Sequence, residues 1–189
     1  MRLVVWSDAS YLSETKSRSR AGGLHYLTSA GDAPTAPTNG AIEAVSTIIP
    51  TVVSSAAEAE LAGLFLNAQT AMSTRTTLAS LGYPQLATPL ITDNTTAAGI
   101  ANQTVRLKRS KAMDMRYDWI TNRVSLGDFS VTWGPGENNL ADYYTKIHPP
   151  PPSIIAPFAI VTFMTRVLRL SVLRGCVNIF TFSCPSIVN

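Results

Sequence analysis

Short apolar runs and alternations predict strands along this chain, and apolar positions at three- and four-residue spacing predict helices. Residues 3–6 (LVVW) form a β-branched and aromatic run that stops at Ser7-Asp8-Ala9-Ser10, a strand with an acid at its end. Residues 21–27 (AGGLHYL) and 41–49 predict a second and a third strand. Between them, 31–40 is turn chemistry closing on the hairpin signal Asn39-Gly40, and Pro50 breaks the third strand. From Ser54 the sequence SSAAEAELAGLFL opens a helix with Leu61, Leu64, Phe65, Ala68 and Met72 on one stripe. It is expected to run through Leu81, with Gly82 and Pro84 as its stop. A fourth strand, 88–92 (TPLIT), ends in Asp93-Asn94, and a helix of small residues is expected at 95–102. A helix over 111–124 has Met115, Trp119 and Ile120 roughly along one face. A fifth, alternating strand follows at 128–133, then a short helix over 140–146 that His148 and the prolines at 149–152 end. This order predicts an α/β fold, a mixed sheet with helices on its faces.

Length narrows the organisation. At 189 residues and 46% hydrophobic, the chain can bury one good core but hardly two. One domain over 1–150 and an apolar carboxyl-terminal appendage over 151–189 are expected. Residues 1–152 hold 12 Lys/Arg and 12 Asp/Glu, whereas 153–189 hold 3 and none, so the domain is neutral overall and its polarity has to be judged locally. The run 154–165 is uncharged but contains Pro157 and stops at Arg166, short of the roughly 18 residues a membrane span needs. A membrane partner is therefore not expected. Both cysteines, Cys176 and Cys184, lie in the last fifteen residues without a CxxC pattern, which argues against a zinc site or a disulfide framework. Asp8 interrupts the first apolar run too early for a signal peptide, so a reducing intracellular setting, cytoplasm or nucleus, is expected.

The chemistry resides in the acids. Asp8, Asp93 and Asp142 stand at the ends or starts of elements, and the long helix offers Glu58 or Glu60. At about 100° per residue both glutamates fall at the edges of the apolar stripe, so geometry alone does not choose between them. A carboxylate in the first turn of a helix also suits the helix dipole, and an aspartate after a strand also starts a turn. If the acids converge, they form an oxygen-rich site for hard divalent ions and phosphodiester chemistry. Only His25 and His148 exist and no nucleophile elbow appears, which argues against serine, cysteine or histidine nucleophiles. Two basic clusters complete the picture. Lys16, Arg18 and Arg20 alternate and would share one side if extended, and Arg106, Lys108, Arg109 and Lys111 crowd into six positions. Each reads as a solvated segment or as a contact to nucleic-acid phosphates. Asp114 and Asp118 read as part of a charged, solvated helix face beside Arg116 and Arg123.

Taken together, SDAS (7–10), AGGLHYL (21–27), SSAAEAELAGLF (54–65), ITDN (91–94), RSKAMDMRYDWI (109–120) and NLADYYTK (139–146) resemble the ribonuclease H domain at the carboxyl end of copia-type retrotransposon polyproteins, over about residues 3–150. The resemblance implies a ribonuclease H-like mixed five-stranded sheet flanked by helices, an RNA–DNA hybrid as substrate, two Mg²⁺ or Mn²⁺ ions, and a reverse transcriptase domain as partner in the parent polyprotein. It implies the catalytic and metal-ligating acids Asp8, Glu60, Asp93 and Asp142, with Glu60 preferred to Glu58 because it opens ELAG. The implied reaction is hydrolysis of the RNA strand by in-line attack of water. Ser10 is assigned to sensing the 2′-hydroxyl.

Some features depart from that family. Many ribonucleases H carry a histidine ahead of the final aspartate, yet 129–141 contain none and His148 follows the acid, so slow turnover is expected. The start at the first strand suggests a gene fragment or domesticated remnant, for which a catalytically inactive nucleic-acid-binding module is the alternative. An integrase-like nuclease, which shares the fold, would normally end on a glutamate where this chain has Asp142.

Overall fold

The computed structural model describes residues 1–29, 40–105 and 111–146, the side chains of 111–114 excepted. The central sheet has five strands: β1 (Arg2–Glu14), β2 (Arg18–Thr28), β3 (Glu43–Ile48), β4 (Thr88–Thr92) and β5 (Phe129–Trp133), in the spatial order β3-β2-β1-β4-β5. The first three pair antiparallel, whereas β4 lies parallel to both β1 and β5, so the sheet is mixed as expected. Three helices, α1 (Ala56–Ser80), α2 (Thr95–Ala101) and α3 (Lys111–Ser125), accompany it. A closing 3-10 helix, Leu140–Tyr144, takes the place of the expected last α-helix.

Strand alternation sorts β1 between two layers. Leu3 and Val5 face α1, α2 and α3, where they pack with Leu61, Leu64, Ile100, Ile120, Phe129 and Val131. Val4 and Trp6 face the opposite way and pack with Leu24, Tyr26, Ile91 and Ala141 of the closing helix. Trp6 donates its indole N–H to the Tyr26 hydroxyl at 3.0 Å, which satisfies the polar atom of a buried ring. A third cluster, Ala21, Ile49, Val53, Ala59 and Ala62, ties the start of α1 to β2.

The long helix is capped as its sequence suggests. Ser55 accepts from the Glu58 N–H at 3.2 Å and the Glu58 carboxylate accepts from the Ser54 N–H at 2.6 Å, a reciprocal arrangement close to a capping box. The expected single stripe is wider in fact. Residues 59–64 are buried without a break, because the helix lies between the sheet and α3, where Phe65 meets Trp119 edge to face at 5.3 Å. Among the described residues no helix is long and apolar enough to cross a membrane. The expected appendage, the loop 31–39 and His148 lie outside the described residues.

Candidate metal centre

Register in the parallel pair brings two of the acids level. Val5 lies opposite Leu90 and Trp6 opposite Ile91, and three residues beyond Val5 and Leu90 stand Asp8 and Asp93. Glu60, in the second turn of α1, reaches the same point. One carboxylate oxygen from each of Asp8, Glu60 and Asp93 lies within 4.8 Å of the others. The helix comes this close because residue 63 is glycine: a Cβ there would stand 3.1 Å from the Asp8 carbonyl oxygen and 3.3 Å from Ala9 Cβ. Helical spacing leaves two glutamates open, and the fold brings Glu60, the one that the resemblance implies, to the other acids. Glu58 caps the helix, while Glu60 is buried in the cluster.

The electrostatics follow from crowding in a dry place. Burial, then the charges of Asp8 and Asp93, push the Glu60 carboxyl up to about 9, against a smaller opposing hydrogen bond at the Ala9 backbone. Asp8 is raised too, by burial first and by Asp93 and Asp142, while a hydrogen bond from Thr145 works the other way. Glu60 is 7% exposed, and its Oε2 is buried without a hydrogen-bond partner. Asp93 is held from behind, its carbonyl accepting the Trp133 indole N–H at 2.9 Å. Asp142 stands apart from the trio. It raises the pKa of both Asp8 and Glu60, so it is near, but its carboxylate pairs with Lys146 at 2.6 Å and its side chain is 40% exposed.

Of the expected basic row, Arg18 and Arg20 lie at alternate positions of β2, whereas Lys16 sits in the turn before it. A 3-10 turn, Thr15–Ser17, with Lys16 at φ 60°, joins β1 to β2, so the three positions are not one extended run. Arg20 is engaged by Glu14 at 2.5 Å and by the Ser46 hydroxyl at 2.9 Å, and Arg18 donates to the Thr15 carbonyl at 3.3 Å. Ser10 lies two residues past Asp8 with its hydroxyl 2.6 Å from that of Ser13. Arg106, Lys108 and Arg109 lie outside the described residues. Lys111 opens α3, and its side chain is likewise outside them.

Several residues around the acids were not anticipated. Asn67 on α1 donates to the Ser7 hydroxyl at 3.0 Å and to the Gly22 carbonyl at 2.8 Å, and its oxygen is 3.4 Å from His25 Nε2. Full burial lowers the His25 pKa to about 4, against the Asn67 contact, so this histidine is neutral at ordinary pH. Asn67 falls among buried, mostly apolar positions of α1, and a polar residue at a core position is the signal that marks it. Thr145 carries a weaker one, since it stands three residues after Asp142 where a helical turn would place both together.

Comparison with solved structures identifies the architecture. LC11-RNase H1, isolated from compost and solved in complex with an RNA/DNA hybrid, aligns with TM-score 0.56 at 10% identity over 75% of this chain and 92% of its own. RNase H1 from the halophilic archaeon Halobacterium salinarum NRC-1 aligns with TM-score 0.52 at 13% identity over 76% and 94%. The PFV RNase H domain gives 0.51 at 18% identity over 76% and 91%. The chain therefore has the ribonuclease H fold. No protein-family model matches the sequence, and no curated protein does.

Proposed function

We propose that this domain is a metal-dependent ribonuclease H that hydrolyses the RNA strand of RNA–DNA hybrids. The observation that carries the reading is the convergence of Asp8, Glu60 and Asp93 from β1, α1 and β4 onto one point of a ribonuclease H fold. The donor set fits a hard divalent ion. It is all carboxylate oxygen, one of those oxygens is buried and unpartnered, and the crowding that makes Glu60 harder to ionise would be relieved by a cation. Asp8, Glu60 and Asp93 would hold Mg²⁺ or Mn²⁺, and Asp142, at the more exposed rim, would complete the set for a second ion. Such ions supply charge stabilisation at a reacting phosphodiester and lower the pKa of water.

The chain's own residues exclude solvent from one side and hold the acids in place. Trp6, Ile91 and Ala141 pack together on the face of β1 that Asp8 shares by strand alternation, and Trp133 donates to the Asp93 carbonyl. Water attacks the phosphorus of an RNA phosphodiester, the bond to the ribose 3′-oxygen breaks, and the 3′-oxygen leaves with a proton. The LC11 enzyme's complex with an RNA/DNA hybrid supports the choice of substrate by fold analogy. A copia-type origin, with a reverse transcriptase domain in the parent polyprotein, remains part of this proposal, as do the domain limits 1–150 and contacts from Ser10, Lys16, Arg18, Arg20 and the 106–111 cluster to the hybrid. The test is incubation of the full chain with end-labelled hybrid and Mg²⁺. Cleavage that disappears in Asp93→Asn supports the proposal, and no cleavage by the wild type, or equal cleavage by the variant, rejects it.

A second reading has two observations in its favour. Asp142 is paired with Lys146, and no histidine lies between 129 and 141, so the rim lacks the groups expected to speed turnover. A binding-competent but catalytically weak domain would then retain salt-sensitive affinity for the hybrid after loss of the acids.

A further inference from the structure

The closing 3-10 helix is fastened to the sheet at three places, and the last of them reaches the acid cluster. Asn139 donates from its side chain to the Ser7 carbonyl at 3.2 Å, the Ser46 hydroxyl donates to the Tyr144 carbonyl at 2.8 Å, and the Thr145 hydroxyl donates to Asp8 Oδ2. Thr145 is 2% exposed and Asp8 6%, so this last contact is shielded from water. A hydroxyl on a carboxylate is the strong, charge-assisted kind of hydrogen bond.

The close seating depends on what stands next to Asp8 in the sheet. Gly22 is its cross-strand partner, and a Cβ at that position would lie 2.6 Å from Thr145 Cγ2 and 2.7 Å from the Ala141 carbonyl oxygen. Only a bare backbone there lets the closing helix descend far enough for Thr145 to touch the acid. A carboxylate gripped at one oxygen by a buried hydroxyl no longer rotates freely, so its other oxygen has a fixed direction. The neighbouring Lys146–Asp142 pair is different in kind, with side chains 59% and 40% exposed, and is screened by solvent.

We propose that Thr145 is a positioning residue, whose hydroxyl sets the Asp8 carboxylate in the orientation required by a divalent cation shared with Glu60 and Asp93. This rests on the metal-site reading above. Partners that orient a ligand from behind the metal influence affinity strongly even though they never touch the ion.

Calorimetric titration of the full chain with Mn²⁺, without nucleic acid, tests the proposal on wild type, Thr145→Val, Thr145→Ala, Thr145→Ser and Asp8→Asn. Valine removes the hydroxyl at nearly constant shape and alanine removes it with less bulk, so either variant alone decides the matter if the other does not fold. The expected result is an affinity about 10- to 100-fold weaker for Val and Ala, recovery to within about threefold of wild type for Ser, and loss of binding in Asp8→Asn. Wild-type affinity in the folded Val or Ala variant, with binding lost in Asp8→Asn, overturns the role of Thr145 and leaves the metal site standing. A lowered metal-free Tm with unchanged affinity also overturns it, since a purely structural threonine behaves that way. Undiminished binding in Asp8→Asn, or no binding by the wild type, instead overturns the metal-site reading on which the inference rests.

Discussion

The side-chain amide of Asn67 donates to the Ser7 hydroxyl at 3.0 Å, which places a buried polar link between α1 and β1 one residue ahead of Asp8. The same amide holds the Gly22 carbonyl, and the amide oxygen faces His25. Replacing Asn67 by leucine would leave these groups without partners in a dry core. Unsatisfied buried groups cost about 1–3 kcal/mol each, so Asn67→Leu is expected to lower stability by about 2 kcal/mol or more in urea denaturation. A change within experimental error would show that the link is dispensable.

Acidity within the cluster predicts a pH dependence in metal-free protein. Glu60 titrates near 4.5 when unfolded and about 9 when folded, so between those values the folded state holds the extra proton and stability falls as pH rises. His25 acts oppositely. Its folded pKa of about 4 lies below the unfolded 6.5, so the unfolded state binds the extra proton and stability rises with pH across that interval. The two effects oppose each other between about pH 4.5 and 6.5, above which His25 no longer offsets Glu60. Stability without metal should therefore decline from about pH 6.5 to 9, with Glu60 alone contributing up to about 1.4 kcal/mol per pH unit. Denaturation at several pH values checks this, and Glu60→Gln should flatten the decline.

Glu58 and Glu60, only two residues apart in sequence but differently placed, make a clean comparison. Glu58→Gln should keep Mn²⁺ binding, because that carboxylate caps α1 at the Ser54 N–H, whereas Glu60→Gln should abolish it. Ser55→Ala removes the other half of the cap and is expected to cost about 1 kcal/mol in thermal denaturation without loss of metal affinity. Loss of Mn²⁺ binding in Glu58→Gln would reverse the assignment.

Relief of crowding among the acids should also be visible as stabilisation. With Mg²⁺ present at about 100 times its Kd, the wild type is expected to gain about 2.7 kcal/mol, read as a rise in Tm. Asp93→Asn, which removes one member of the trio, should show a much smaller rise. An equal shift in both proteins would mean that the ion binds elsewhere.

Much of the scaffold was legible beforehand. The expected fourth strand, 88–92, coincides with β4, and the long helix begins where its paired serines and Glu58 predict, because capping is a local event written in adjacent residues. The first strand is longer than its composition predicts. Ser7-Asp8-Ala9-Ser10 looks like a turn by composition, yet β1 continues through it to Glu14 because β2 supplies a hydrogen-bonding partner along nearly its whole length. The closing element was expected to be α-helical and is 3-10, with its N-cap Asn139 tied to Ser7 across the sheet.

Local spacing was enough to indicate the five strands, the helices between them and the acids that end or open elements, since periodicity and capping act over a few residues. Helical spacing left Glu58 and Glu60 open and the resemblance preferred Glu60; the tertiary structure brings Glu60 to Asp8 and Asp93, keeps Asp142 at the rim with Lys146, and lets Thr145 reach Asp8 past Gly22. These relations depend on parallel register, on a helix crossing a sheet at a glycine and on burial, which act between residues dozens of positions apart and leave no pattern in any single stretch of chain.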